Sequence, residues 1–189
     1  MKRVILGIVA SSLMVAGCAT MSKAECQVAD WYQVGAKDGS SGHDWSRLAS
    51  HAKACAKVGI TPDRDVWEQG RQAGLQSYCT TANAYRLGRS GSRLNSVCPS
   101  ELLDVLTRAN NYGYNMNRLE SQIEKDRKEL TKLREQLKKL QEGDNLEFKS
   151  EKEARAYMVG LPAKINALVD KIIEDERVLS EAKAYNPYN

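Results

Sequence analysis

Histidine is scarce in this chain: His43 and His51 are the only two among 189 residues. Neither sits in a pattern that carries chemistry. His51 and Cys55 are four apart, a spacing that can hold a metal on one helix face, but no further ligands lie nearby. His43 falls between Ser40-Ser41-Gly42 and Asp44. Adjacency of serine, histidine and aspartate is not a triad, which requires convergence in space and an oxyanion hole. There is no nucleophile elbow, no phosphate loop and no paired zinc motif. The expectation is a protein that is not an enzyme, with no catalytic residue, metal or cofactor. Charge of one sign is missing too. Lys and Arg number 28 against 24 Asp and Glu, and the two signs are interspersed. Without a basic stripe interleaved with aromatics, nucleic acid is excluded as a partner. The apolar run from Val4 to Met14 is too short to span a bilayer as a mature helix.

That run instead gives an address. Lys2 and Arg3 precede it and Val15-Ala16-Gly17-Cys18 follows it. A basic start, a short apolar core and small residues before a cut read as a secretory signal over 1–17. Cysteine after Val-Ala-Gly resembles the lipobox of bacterial lipoproteins, in which the Cys18 thiol is diacylated and the chain is cut before it. Two or three acyl chains make a stable anchor. Position 19 is Ala rather than the Asp that tends to retain enterobacterial lipoproteins in the inner membrane. By that resemblance the mature protein faces the periplasm from the outer membrane. Residues 18–25 form a short lipidated tether. Removal of Lys2 and Arg3 lowers the formal net charge from +4 to +2.

Cys26, Cys55, Cys79 and Cys98 remain beyond the anchor. An even count in an oxidising compartment reads as two disulfides. Three pairings are open. The two local loops, Cys26 with Cys55 and Cys79 with Cys98, are the preferred pair. All four cysteines precede residue 100, so a stapled region over 26–111 is followed by an unstapled one.

Within the stapled region a pattern recurs: Asp30-Trp31-Tyr32 with Gly35 and Gly39, Asp65-Val66-Trp67 with Gly70 and Gly74, Asn83-Ala84-Tyr85 with Gly88 and Ser92. Aromatic, glycine and small residue fall three and four apart, on one face of a short helix. Asp30, Asp65 and Asn83 are suited to cap those helices. Glycine inside a helix costs about 1 kcal/mol against alanine, so two per helix need a reason. Close approach of another helix backbone, as a packing device for a small core, is the favoured one. The other is a cleft in which Trp31, Trp67 and Tyr85 bind a ligand such as a glycan, with Arg71 and Arg89 holding an anion.

The residues Cys26-x3-Asp30-Trp31-Tyr32-x2-Gly35, His51-x3-Cys55, Gly70-Arg71-x2-Gly74-Leu75-x2-Tyr78-Cys79 and Val97-Cys98-Pro99 together resemble a family of small Gram-negative lipoproteins known only as a domain of unknown function. The resemblance covers roughly residues 20–115. It implies no activity.

From Tyr112 a heptad pattern begins. Its seam is Tyr112, Met116, Leu119, Ile123, Asp126, Leu130, Leu133, Leu137 and Leu140. Gly143-Asp144-Asn145 breaks the helix, and Ser150-x2-Glu153 is a capping box that starts another. The second seam runs Ala154, Met158, Leu161, Ile165, Leu168, Ile172, Asp175, Leu179 and Ala182. Folded back, the seams register layer by layer, Leu140 on Ala154, Leu133 on Leu161, Ile123 on Ile172 and Tyr112 on Ala182. Lys171 and Arg118 are the candidate partners of the two seam aspartates. Pro162 predicts a kink rather than a stop. Val169, Ile173 and Val178 widen the second stripe beyond what one partner helix needs.

The fold expected is therefore mainly α: a small disulfide-stapled helical head, then a long antiparallel coiled-coil hairpin over 112–184 and a frayed tail over 185–189. The function expected is a structural or protein-interaction role in the cell envelope, with an envelope protein partner at the hairpin and a homo-oligomer possible. The alternative is a module that binds cell-wall glycan or another envelope ligand.

Overall fold

The computed structural model describes residues 20–144, 146 and 148–188. The signal segment and Cys18 lie outside the described residues. Helices dominate, and no strand occurs among the described residues. None of their helices is long and apolar enough to cross a membrane.

The helices start where side chains can accept from free first-turn N–H groups. α1 (Lys23–Gln27) opens on a capping box in which Ser22 and Glu25 exchange hydrogen bonds. Asp30 caps α2 (Trp31–Ser40), and Asp44 caps α3 (Trp45–Cys55). Asp63 caps α4 (Arg64–Tyr78), and Thr80 caps α5 (Thr81–Arg89). Asp65 and Asn83, expected as caps, lie instead inside the first turns. Asp65 N–H donates to Asp63 and Asn83 N–H to Thr80. α6 is continuous over Ser100–Gln141, passing through residue 112 without a break. Ser150 caps α7 (Glu151–Ala184), which continues through Pro162.

Both disulfides take the local pairing. Cys26–Cys55 fastens α1 to the end of α3. Cys79–Cys98 fastens the end of α4 to the loop ahead of α6.

The glycines decide how the head packs. α2 lies against α4, and α5 against the first half of α6. A Cβ on Gly35 would stand 2.0 Å from the Trp67 carbonyl oxygen, and one on Gly70 2.0 Å from that of Tyr32. Gly39 meets Arg71 O at 2.0 Å and Gly74 meets Ala36 O at 2.1 Å. Each contact recurs with the two helices exchanged, a local two-fold crossing that maps residue 35 onto residue 70. Only a residue without a side chain allows backbones this close, the logic of small residues spaced four apart. The glycine Cα–H bonds then face carbonyl oxygens, a weak but recurrent attraction. The second pair repeats the device. Gly88 meets Asn110 O at 2.1 Å and Gly113 meets Tyr85 O at 2.4 Å. Gly113, of α6, is thus a fourth member of the pattern.

α7 returns along α6. Tyr112 Oη donates to the Ala182 carbonyl at 2.7 Å. Ile123 and Ile172 share one buried cluster with Met116 and Leu179. Leu133, Leu140, Ala154 and Leu161 share another near the loop end. Lys171 Nζ reaches Asp126 at 2.5 Å and Asp175 at 2.8 Å, answering both seam aspartates. Among the described residues Arg118 pairs with neither. Arg127–Glu176 and Lys183–Glu120 also bridge the two helices. The tail is not frayed at Tyr188. Its ring stacks on Tyr85 at 5.9 Å between centroids and meets Tyr112 edge-on at 5.7 Å. The tail has an aromatic slot to enter between α5 and α6, which the expectation of fraying overlooked.

Candidate functional site

The five residues expected to bind a ligand do not share a cleft. Trp67 is fully buried, its indole Nε1–H donating to Asp38 Oδ2 at 2.9 Å. Arg71 is buried beside it. Its Nε and Nη2 engage both oxygens of Glu68 at 2.7 and 2.8 Å, and its guanidinium lies 5.7 Å from the ring centres of Trp45 and Trp67. The hydrogen bonds from Arg71 hold the Glu68 carboxyl below its ordinary range despite burial. A guanidinium already forked onto a carboxylate has little left for an outside anion. Tyr85 and Arg89 lie in the other crossing. Tyr85 is half-buried against Tyr112 and Tyr188. Arg89 forks onto Glu120 at 2.9 and 3.1 Å, which depresses Glu120 and raises Arg89. Trp31 is half-buried at the first position of α2. Trp67, Arg71, Tyr85 and Arg89 are each engaged by partners within the two crossings.

The structure assembles a different group around Asp38. This carboxylate is buried, and three helices converge on it. His51 Nε2 lies 2.8 Å from Asp38 Oδ2, the oxygen that also accepts from Trp67. Arg47 Nε reaches Oδ1 at 3.4 Å. The other ring nitrogen of His51 lies 2.8 Å from Thr20 Oγ1, two positions after Cys18. Burial pushes the Asp38 carboxyl up, but hydrogen bonds from His51 and Trp67 and the nearby positive groups outweigh it. The net result is below the ordinary value. Hydroxyl, imidazole and carboxylate stand in a row with the imidazole buried between them, so the chain of bonds acts as a clamp. Its visible effect is to tie the segment entering from Cys18 to α2, α3 and α4 at once.

Beside this clamp, Thr20, Val28, Val34, Lys37, Arg47 and His51 are among the walls of a hollow of about 280 Å³. Among the described residues no group of three or more His, Cys, Asp or Glu is placed to hold a metal. His51 and Cys55 do not share a ligand position, because Cys55 is bonded to Cys26.

Sequence reasoning missed Asp38 and Arg47 altogether. They carry no motif: Asp38 lies 13 residues from His51 on α2, and Arg47 four residues from it on α3. The only signal was the polar position of Asp38, next to Gly39, on the otherwise apolar and glycine-lined face of α2.

Residues 30–115 match the family model described as Protein of unknown function (DUF2799). The matched span holds Asp38, His51 and Trp67, both glycine crossings and the Cys79–Cys98 disulfide. It ends just past Gly113 and leaves out α7 and the distal part of α6. No curated protein and no solved structure matches the chain.

Proposed function

We propose that this chain is a lipid-anchored lipoprotein of the bacterial envelope, facing the periplasm from the outer membrane, with a structural or protein-interaction role. Acylation of Cys18 is the anchor. The head holds position and an antiparallel coiled-coil hairpin of α6 and α7 recruits another envelope protein. The observation that carries this reading is the surface of α7. Ile173 stays 60 % exposed, Val178 40 % and Val159 77 %. Apolar side chains beyond those needed to pack on α6 are surface available to a partner. The two disulfides support an oxidising compartment. The clamp of Thr20 by His51 supports a head held close to the membrane, since the segment after Cys18 is fastened almost at once.

The test is a photoreactive residue at Ile173 of the full-length protein in living cells, with adducts identified by mass spectrometry. A discrete adduct to another envelope protein establishes the adaptor. An adduct only between two copies makes the hairpin a self-association element. Absence of any adduct defeats the recruiting role of α7.

A further inference from the structure

The row of bonds that clamps Thr20 also fixes where its protons lie. Despite burial, the Asp38 carboxyl is held below its ordinary value by hydrogen bonds from His51 and Trp67. An ionised carboxylate only accepts, so the His51 nitrogen that faces it at 2.8 Å, Nε2, carries the ring proton. The neutral ring then turns the lone pair of Nδ1 toward Thr20 Oγ1, also at 2.8 Å, and the threonine hydroxyl donates to it. The indole of Trp67 and the guanidinium of Arg47 hold Asp38 in place from two other helices. A hydroxyl bonded to an imidazole, with a buried carboxylate on the far side of the ring, is the arrangement that makes a weak nucleophile reactive.

Thr20 can also be reached. It is half-buried and lines the hollow of about 280 Å³ described above. Val28, Ala29 and Val34 give that hollow apolar walls. Its charged walls are Glu25, Asp30 and Asp38 against Lys37 and Arg47, three carboxylates to two cations. That balance disfavours an anionic ligand and leaves an uncharged one. The volume suits a short acyl group rather than a polymer. The Arg47 guanidinium brings N–H donors to the same hollow for negative charge that develops on a carbonyl oxygen.

We infer that Thr20 is an acyl-accepting nucleophile, with His51 as its general base, acting on short uncharged esters. Thr20 Oγ1 bonds to the ester carbonyl carbon while its proton passes to His51 Nδ1. The ester C–O bond breaks, and the leaving alcohol takes that proton from Nδ1. The product is an acyl ester of Thr20 beside an imidazole that is neutral again. Water, giving its proton to the same nitrogen, then splits the acyl ester. The proton returns to Oγ1 and a carboxylic acid leaves. Asp38 and Trp67 are positioning residues, and Asp38 keeps the ring in the tautomer that can accept the proton. This activity is separate from the interaction role of α7 and needs no acylation of Cys18.

The test incubates the purified full-length protein with p-nitrophenyl acetate. Released p-nitrophenol is followed by absorbance, and acetylated peptides are mapped by mass spectrometry. The expected result is an acetyl group on Thr20. Thr20→Val removes it, and Thr20→Ser, which keeps the hydroxyl, retains it. Asp38→Asn should slow acylation by about a hundredfold or more while KM for the ester stays the same. The amide at position 38 can donate to Nε2, which turns the ring N–H toward Thr20 and leaves no base there. Circular dichroism checks that each variant is folded. The two Thr20 variants change a half-buried side chain ahead of α1, so they decide the matter even where Asp38→Asn does not fold. Acetyl groups on lysines with none on Thr20 overturn the proposal. So does acetylation of Thr20 at an equal rate in folded Asp38→Asn, or p-nitrophenol release unchanged in Thr20→Val.

Discussion

The indole N–H of Trp67 donates to the carboxylate of Asp38 across the glycine crossing of α2 and α4, at 2.9 Å. Backbone proximity and side-chain polarity meet at this bond. The glycines bring the helices close enough for the indole to reach, and the bond satisfies a buried donor and a buried acid together. An acid left unpaired in such a place costs several kcal/mol. The crossing and the polar cluster thus depend on each other.

Gly35→Ala should be severe. The added methyl would stand 2.0 Å from the Trp67 carbonyl oxygen, which is backbone and has no rotamer to yield. A loss of about 3 kcal/mol is expected, the upper part of the range for overpacking. Gly160→Ala is the matched control. Nothing lies within 4 Å of its Cβ position, and it sits inside α7. It should raise stability by roughly 0.5–1 kcal/mol. Chemical denaturation of the two variants checks both signs at once.

Acid should weaken the Asp38 cluster. The folded carboxyl titrates below the ordinary 3.8, so its contribution is fully present above that value. It is lost as pH falls through the folded pKa, because the unfolded chain then binds the proton more readily. Asp38→Asn removes this dependence. Melting temperatures of the two proteins should therefore converge below about pH 4 and separate above it. A gap that stays constant with pH counts against the carboxylate as the source.

Each disulfide should stabilise by roughly 3 kcal/mol if loop entropy dominates. Cys79→Ser with Cys98→Ser, compared with wild type in the absence of reductant, measures one of them. Reductant should lower the melting temperature of the wild type further than that of this variant, because the wild type has two bridges to lose.

The tail should contribute measurably. Tyr188→Ala removes a ring from the three-tyrosine cluster with Tyr85 and Tyr112, at an expected cost of about 1–2 kcal/mol. Tyr185→Ala, three residues earlier at a position 83 % exposed, should be silent. Equal effects of the two would would falsify a specific seat for Tyr188.

Much of the local structure was legible because it follows from local rules. The helical content follows from periodicity, and Asp30 and Ser150 cap where their side chains can reach the first turn. The disulfides took the shorter loops, which cost least to close. The caps at Asp65 and Asn83 were misread by two and three positions. An acid or amide suits N2 and N3 of a helix almost as well as the cap, so residue type alone does not separate them. Gly113 was missed because an asparagine, Asn110, stands where its counterparts have an aromatic. Asn110 fills the place by hydrogen bonding, giving to Ala84 O and Ser92 O and taking from Leu94 N–H. The Asp38 group was illegible for a different reason. Its members come from α2, α3, α4 and the segment at Thr20, and only the folded chain brings them together. Four of the residues read as a binding surface, Trp67, Arg71, Tyr85 and Arg89, lie in the crossings themselves, beside the glycines that bring the backbones together, and so share their regular spacing.

Because α6 belongs to the Gly88–Gly113 crossing at one end and to the loop at the other, it is a lever with its fulcrum in the head. The 28 residues from Gly113 to Gln141 span about 42 Å. A rotation of about 5° at the glycines would carry the far end by roughly 4 Å. Backbones packed without side chains between them offer a hard bearing surface for such a pivot, so displacement applied at the tip would be felt at Asn110 and Tyr188 rather than absorbed along the way.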